Sequence, residues 1–196
     1  MYESITGQLF EIGRQLRQKG GYSFSPEMLQ KHLQDAIEGR FVDFPTWKTI
    51  KLGTYGSTNA IRKALNHGFR VSNRADDILK KIEVSPVETE IELVVATTKQ
   101  LTDKDRATTQ EVFEGGKSRG WEPCPAEGGP QLRLQYRDQP KGDWLRIAMK
   151  PIAGSDGDLD VFLVEHDGVG LWLHALYGDP GGVWGGDGRW VFVRRK

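Results

Sequence analysis

The densest run of side chains able to bind or react is Glu127 to Trp144, EGGPQLRLQYRDQPKGDW. Read as a strand, it alternates Arg133, Gln135 and Arg137 with Leu132, Leu134 and Tyr136, so one face carries a row of planar hydrogen-bonding groups. Such a row can hold a carboxylate, a phosphate or a base edge, because guanidinium and amide groups present fixed arrays of donors. A solvated strand face has the same pattern, since antiparallel sheets often leave one side in water. Gathered around one cleft, Glu127, Arg133, Gln135 and Asp143 or Asp156 would suit a small hydrolase or nuclease, with a carboxylate as base and an arginine as charge clamp. Trp184 sits in the glycine-rich stretch Gly181 to Gly186, and a tryptophan on an exposed loop marks a binding surface.

The remaining short motifs carry less chemistry. Gly115-Gly116-Lys117-Ser118 ends like a phosphate-binding loop, but Glu111 occupies the place of its first glycine and a helix is ending there rather than beginning. Asp156-Gly157-Asp158-Leu159-Asp160 spaces carboxylates as the start of a calcium loop does. Val161 then stands where that loop turns on a glycine and Asp167 where it needs a long bidentate glutamate. A turn entering a strand accounts for the run, and no metal site is expected. His166 and His174 flank a hairpin signal without a third ligand at zinc spacing. Cys124, the one cysteine, excludes an intrachain disulfide and multi-thiolate sites. Between Pro123 and Pro125, with no histidine or cation beside it in sequence, it reads as a buried structural thiol.

The net charge is zero, but the charges are segregated. From Pro45 to Ile82, Lys48, Lys51, Arg62, Lys63, Arg70, Arg74, Lys80 and Lys81 outweigh Asp76 and Asp77, for a net +6. From Ile152 to Gly188 there is no lysine or arginine, and seven acidic residues make the segment −7. The two segments either neutralise one another or each meets an outside partner. Lys48, Lys51, Arg62, Lys63, Arg70 and Arg74 would be the phosphate contacts of a nucleic-acid-binding protein. The absence of net positive charge favours a protein partner or self-association over nucleic acid.

Elements able to position these groups follow from periodicity. Apolar stripes on residues 2–18 and 25–39 predict two helices joined as a hairpin, and Trp47 to Leu52 predicts a short strand. Ser57 is placed to cap a helix over Ala60 to Leu65, and Ser72 or Asn73 to open a further turn or two over Ala75 to Leu79, the two forming a compact basic helix pair. Ser85-Pro86 suggests a border between a helical, basic region 1–85 and a domain 86–196. Beyond it, Ile91 to Val95, Leu132 to Tyr136, Trp144 to Met149, Leu159 to Val164, Gly170 to Leu176 and Arg189 to Val193 read as strands. A long helix is expected from about Asp105 to Arg119. The fold class is therefore α+β: an N-terminal helical region followed by an antiparallel β-meander with one long helix.

The strings WKTIKLGT (from Trp47), CPAE (from Cys124), PQLRLQY (from Pro130), DQP (from Asp138) and WVFVRRK (from Trp190) resemble a family of uncharacterised bacterial hypothetical proteins. The resemblance covers roughly Pro45 to the C-terminus. It implies a bacterial origin and a cytosolic setting, and no activity, cofactor or catalytic residue. With no run of about 18 apolar residues, no membrane contact is expected. The function expected is a non-catalytic binding or regulatory protein engaging a macromolecular partner without a cofactor; nucleic-acid binding through residues 45–82 and a hydrolase or nuclease stay open.

Overall fold

The computed structural model describes residues 44–194; the helices expected over 2–18 and 25–39 lie outside the described residues. Serine caps start the first two described helices, at Ser57 as the sequence predicts and at Ser72, one of the two starts the sequence leaves open. Ser57 Oγ accepts the Ala60 N–H at 3.2 Å to begin α1 (Thr58–Leu65), and Ser72 Oγ accepts the Ala75 N–H at 3.3 Å to begin α2 (Asn73–Leu79). Each helix buries its apolar side, Ile61 and Leu65 on α1 and Ile78 and Leu79 on α2. No described helix is long and apolar enough to cross a membrane.

A nine-stranded mixed sheet organises everything else. Its strands are β1 (Lys48–Leu52), β2 (Arg70–Val71), β3 (Thr89–Thr97), β5 (Trp121–Glu122), β6 (Trp144–Ile147), β7 (Ile152–Ala153), β8 (Leu159–His166), β9 (Leu171–Tyr177) and β11 (Arg189–Arg194). The main path runs β1-β3-β11-β6-β8-β9-β2, with β5 beside β11 and β7 beside β8. β11 pairs in parallel with β6, and β2 with β9; the other pairings are antiparallel. A second, two-stranded sheet joins β4 (Arg106–Thr108) to β10 (Val183–Gly185).

This arrangement overturns the expected helical region followed by a meander. β1 and β2, drawn from the region expected to be helical, are the two end strands of the path, and β11, the last strand in sequence, lies between β3 and β6. Residues on both sides of the expected border at 85 share this sheet and its core. Nor is there one long helix among the described residues. Arg106–Thr108 is strand, and α4 (Thr109–Ser118), ten residues long, begins only at a capping box formed by Thr108 and Glu111. A similar box, Thr97 with Gln100, opens the one-turn helix α3 (Thr98–Thr102).

Helices cover both faces of the sheet, unequally. One face packs under α1, α2 and α5 (Gly128–Gln135) around Ile50, Leu65, Leu79, Leu132, Phe162, Val164 and Leu173. The other face is covered over β3 and β11 by α3 and α4, around Val94, Ala96, Leu101, Val112, Trp190 and Phe192. The run expected as a strand from Leu132 to Tyr136 is therefore part of a helix. Every residue from Gly128 to Leu134 is buried there, so its alternating polarity reports two internal contacts instead of a wet and a dry side.

Candidate functional site

Arg133 and Gln135 lie on helix α5 with different partners, and Arg137 lies past its end; Arg133 and Arg137 both stand over the Phe69 ring, while Gln135 does not join them. Arg133 is fully buried and donates to the Tyr136 carbonyl, to Gln139 Oε1 and, at 3.3 Å, to the Glu165 carbonyl. Burial without a carboxylate at contact distance pulls its pKa down to about 10. Gln139 passes the chain of bonds to Asp143, which also pairs with Arg189. Arg133 thus ties the end of α5 to β8 and the 139–143 loop. Arg137 is exposed beyond the helix, its guanidinium 4.7 Å from the Phe69 ring centre.

Glu127, buried at the start of α5, accepts the N–H groups of Gly53 and Ser85, each at 2.8 Å, and the Gln131 amide, also at 2.8 Å. Gln131 accepts in turn from Thr54 and Gln135. At four-residue intervals these three side chains form a ladder that fastens α5 to β1 and to the loops after β1 and before β3. Glu127, Arg133, Gln135, Asp143 and Asp156 consequently fall into separate structural networks: Glu127 with Gln135, Arg133 with Asp143, and Asp156 with Arg74.

The opposite charges meet inside the molecule. Arg74 lies 2.8 Å from Asp158, 3.1 Å from Asp160 and 3.8 Å from Asp156, so its guanidinium occupies the centre that the calcium-like spacing would offer a metal. No group of acidic, histidine or cysteine side chains among the described residues is arranged to hold a metal ion. Arg62 and Lys80 pair with Asp76, Lys81 with Asp77 and Lys51 with Glu88; Lys48 stands 3.8 Å from Asp138 and over the Tyr136 ring. Of the six candidate phosphate contacts, Lys63 and Arg70 have no ion-pair partner among the described residues. Cys124 is buried, its thiol pKa pushed up to about 12 by desolvation, and its Sγ contacts the Val191 carbonyl.

Among the described residues no helix covers the second face of β6, β8, β9 and β2, and that face carries a different group of residues. Strand register places them in two rows. Trp190, Arg146, Leu163 and His174 lie side by side across β11, β6, β8 and β9; Trp144, Glu165, Trp172 and Arg70 lie side by side across β6, β8, β9 and β2. Leu163, although buried, belongs to neither hydrophobic core, while Trp144, Arg146, Glu165, Trp172 and His174 are half-buried and Arg70 is exposed.

These side chains stack. Trp172 lies against His174 at 4.7 Å with 13° between the rings, and the Arg70 guanidinium sits 5.5 Å from the Trp172 centre. His174 Nε2 is 3.4 Å from a Glu165 carboxylate oxygen. Arg146 is held between Trp144 at 4.3 Å and Trp184 at 4.0 Å, with Trp190 at 5.6 Å. Trp184 is not on a bare loop: it is half-buried in β10 and donates its indole N–H to Thr109 at 2.7 Å. Arg146 Nε and Nη1 are buried with no hydrogen-bond partner, leaving Nη2 as the nitrogen that reaches solvent. Burial pulls the Arg146 pKa down to about 10, with Asp187 opposing more weakly.

Family models, curated proteins and solved structures offer no match to the chain. In the sequence the signal of the stacked face was the period-two pairs Trp144/Arg146 and Trp172/His174 on two strands; what brings the pairs together is the order of strands, which no local pattern encodes.

Proposed function

We propose that the chain is a non-catalytic binding or regulatory module that engages a macromolecular partner, and that the partner rests on the stacked face of β6, β8, β9 and β2. One observation carries this reading: a sheet face that no helix among the described residues covers and that gathers Trp144, Arg146, Trp172 and His174, with Trp184 at its border. Tryptophan and arginine dominate the energetics of protein interfaces because they combine large contact area with directional donors. The resemblance to bacterial proteins and the single buried thiol support placement in a bacterial cytoplasm. Nucleic-acid binding through residues 45–82 has less support, since Lys51, Arg62, Arg74, Lys80 and Lys81 already have carboxylate partners. A hydrolase or nuclease site has less again, with its candidate residues divided among separate networks.

The test is a photo-reactive residue placed at His174, at Leu176 or, as a control on α1, at exposed Lys63. The binding reading expects one adduct of the same mass from cell lysate at His174 and Leu176 and none at Lys63. Equal labelling at all three positions, or none at the face, refutes it.

A further inference from the structure

Ring faces and charges on the stacked face are satisfied to different degrees. The Trp172 ring is in contact with both His174 and Arg70, and Arg146 packs against Trp144 and Trp184. Neither Arg70 nor Arg146 has a carboxylate within 4.0 Å among the described residues, and Asp187 acts on Arg146 only from farther away. A guanidinium stacked on an aromatic ring uses its flat side and keeps its in-plane N–H donors for an oxyanion. Glu165 on this face is engaged with His174, and nearby Asp167 accepts the Val169 and Gly170 N–H groups and interacts with Trp172 and His174.

We propose that the stacked face binds an acidic segment of a protein partner, with Arg70 and the outward nitrogen of Arg146 each receiving a carboxylate. The proposal rests on the binding reading above and names its ligand chemistry. Arg70 and Arg146 lie on strands three steps apart and in adjacent rows, roughly 15 Å from one another at the usual strand spacing. An extended chain covers that span in about four or five residues. Two carboxylates at that separation meet both guanidiniums, and the residues between them cross Leu163, Glu165 and the tryptophan edges.

A single strand of nucleic acid fits less well. Its affinity draws on bases stacking against open aromatic faces and on an extended field of unpaired cations. Here the rings are stacked on the protein's own cations, and most basic residues between 45 and 82 are paired with acids. An acidic peptide needs only the two guanidiniums that have no carboxylate in contact, and a charge-assisted hydrogen bond is strongest at Arg146, which burial has already largely desolvated.

The experiment is fluorescence anisotropy of the full chain with a fluorescein-labelled oligoglutamate at low salt, beside an oligoglutamine and an oligothymidylate of equal length. Oligoglutamate is expected to bind and oligoglutamine not to. Arg70→Gln, on an exposed side chain, and Arg146→Gln are each expected to weaken oligoglutamate about tenfold. Lys63→Gln leaves binding unchanged. Thermal unfolding confirms that each variant is folded; if Arg146→Gln does not fold, Arg70→Gln decides. Failure of oligoglutamate to bind overturns the proposal, as does binding indifferent to Arg70→Gln. Tighter binding of oligothymidylate that depends on Arg70 also overturns it. In each case adducts confined to His174 and Leu176 would leave the binding reading standing with a different ligand.

Discussion

The side-chain amide of Gln135 pairs with the backbone of Lys51 as a neighbouring strand would. The Lys51 N–H donates to Gln135 Oε1 at 2.9 Å, and Gln135 Nε2 donates to the Lys51 carbonyl at 2.8 Å. β1 is an edge of the large sheet, and an open edge is a template for pairing with another chain. The helix therefore closes part of that edge through one side chain.

Gln135→Ala should cost about 1 kcal/mol, since the two bonds to Lys51 lie where water can replace them and the third, to Gln131, is long at 3.2 Å. It should also raise the tendency to associate edge to edge. Urea unfolding measures the first effect and light scattering against concentration the second. Unchanged stability and unchanged association would mean that the pairing contributes nothing.

Gly129 decides how closely α5 approaches β8. A Cβ there would lie 2.6 Å from Phe162 Cβ and 2.7 Å from its ring, inside van der Waals contact. Gly→Ala in a helix interior normally gains roughly 1 kcal/mol. Here overpacking should win, and Gly129→Ala should lose about 1–3 kcal/mol in urea unfolding.

Asp76 connects stability to pH. Lys80 first, and Arg62 with it, hold its carboxyl pKa below the ordinary range. As pH falls, the unfolded chain takes up this proton before the folded protein does. The stabilisation is therefore complete above the ordinary carboxylate pKa of about 3.9 and is lost as pH drops through the lower folded value. Asp76→Asn should be less stable than the parent by under about 1 kcal/mol at neutral pH, because the pair is partly solvated. The difference should close as pH falls below about 4 in a series of urea unfolding curves.

Cys124 should resist alkylation. With the thiol buried and its pKa pushed up to about 12, iodoacetamide at mildly alkaline pH should leave the folded protein unmodified. Mass spectrometry should find the adduct only after unfolding in urea. Rapid labelling of the native protein would show that residues 123–125 open to solvent.

Legibility in the sequence depended on the range of the interaction. Ser57 and Ser72 were readable as caps because a serine oxygen and an N–H three residues on are neighbours along the chain. The strands around Trp144, Leu159, Leu171 and Arg189 were readable from composition and alternation. Thr108 and Glu111 carried a capping-box signal for the true start of α4, which the longer apolar pattern masked. Leu132 to Tyr136 misled because a helix buried from Gly128 to Leu134 needs no apolar stripe: its polar side chains bond to partners as distant in sequence as Lys51, Thr54 and Glu165.

By itself, then, the sequence determined the helix caps, most of the strands, the segregation of charge and the absence of an intrachain disulfide, because each depends on residues near one another or on a count. Only the tertiary structure decided that Arg74 neutralises Asp156, Asp158 and Asp160, that Glu127 and Arg133 brace the core, and that Arg70 and Arg146 come to one face. Those relationships follow from strand order. Strand order reflects which distant segments bury their apolar faces best together, a competition over the whole chain that no short window of sequence contains.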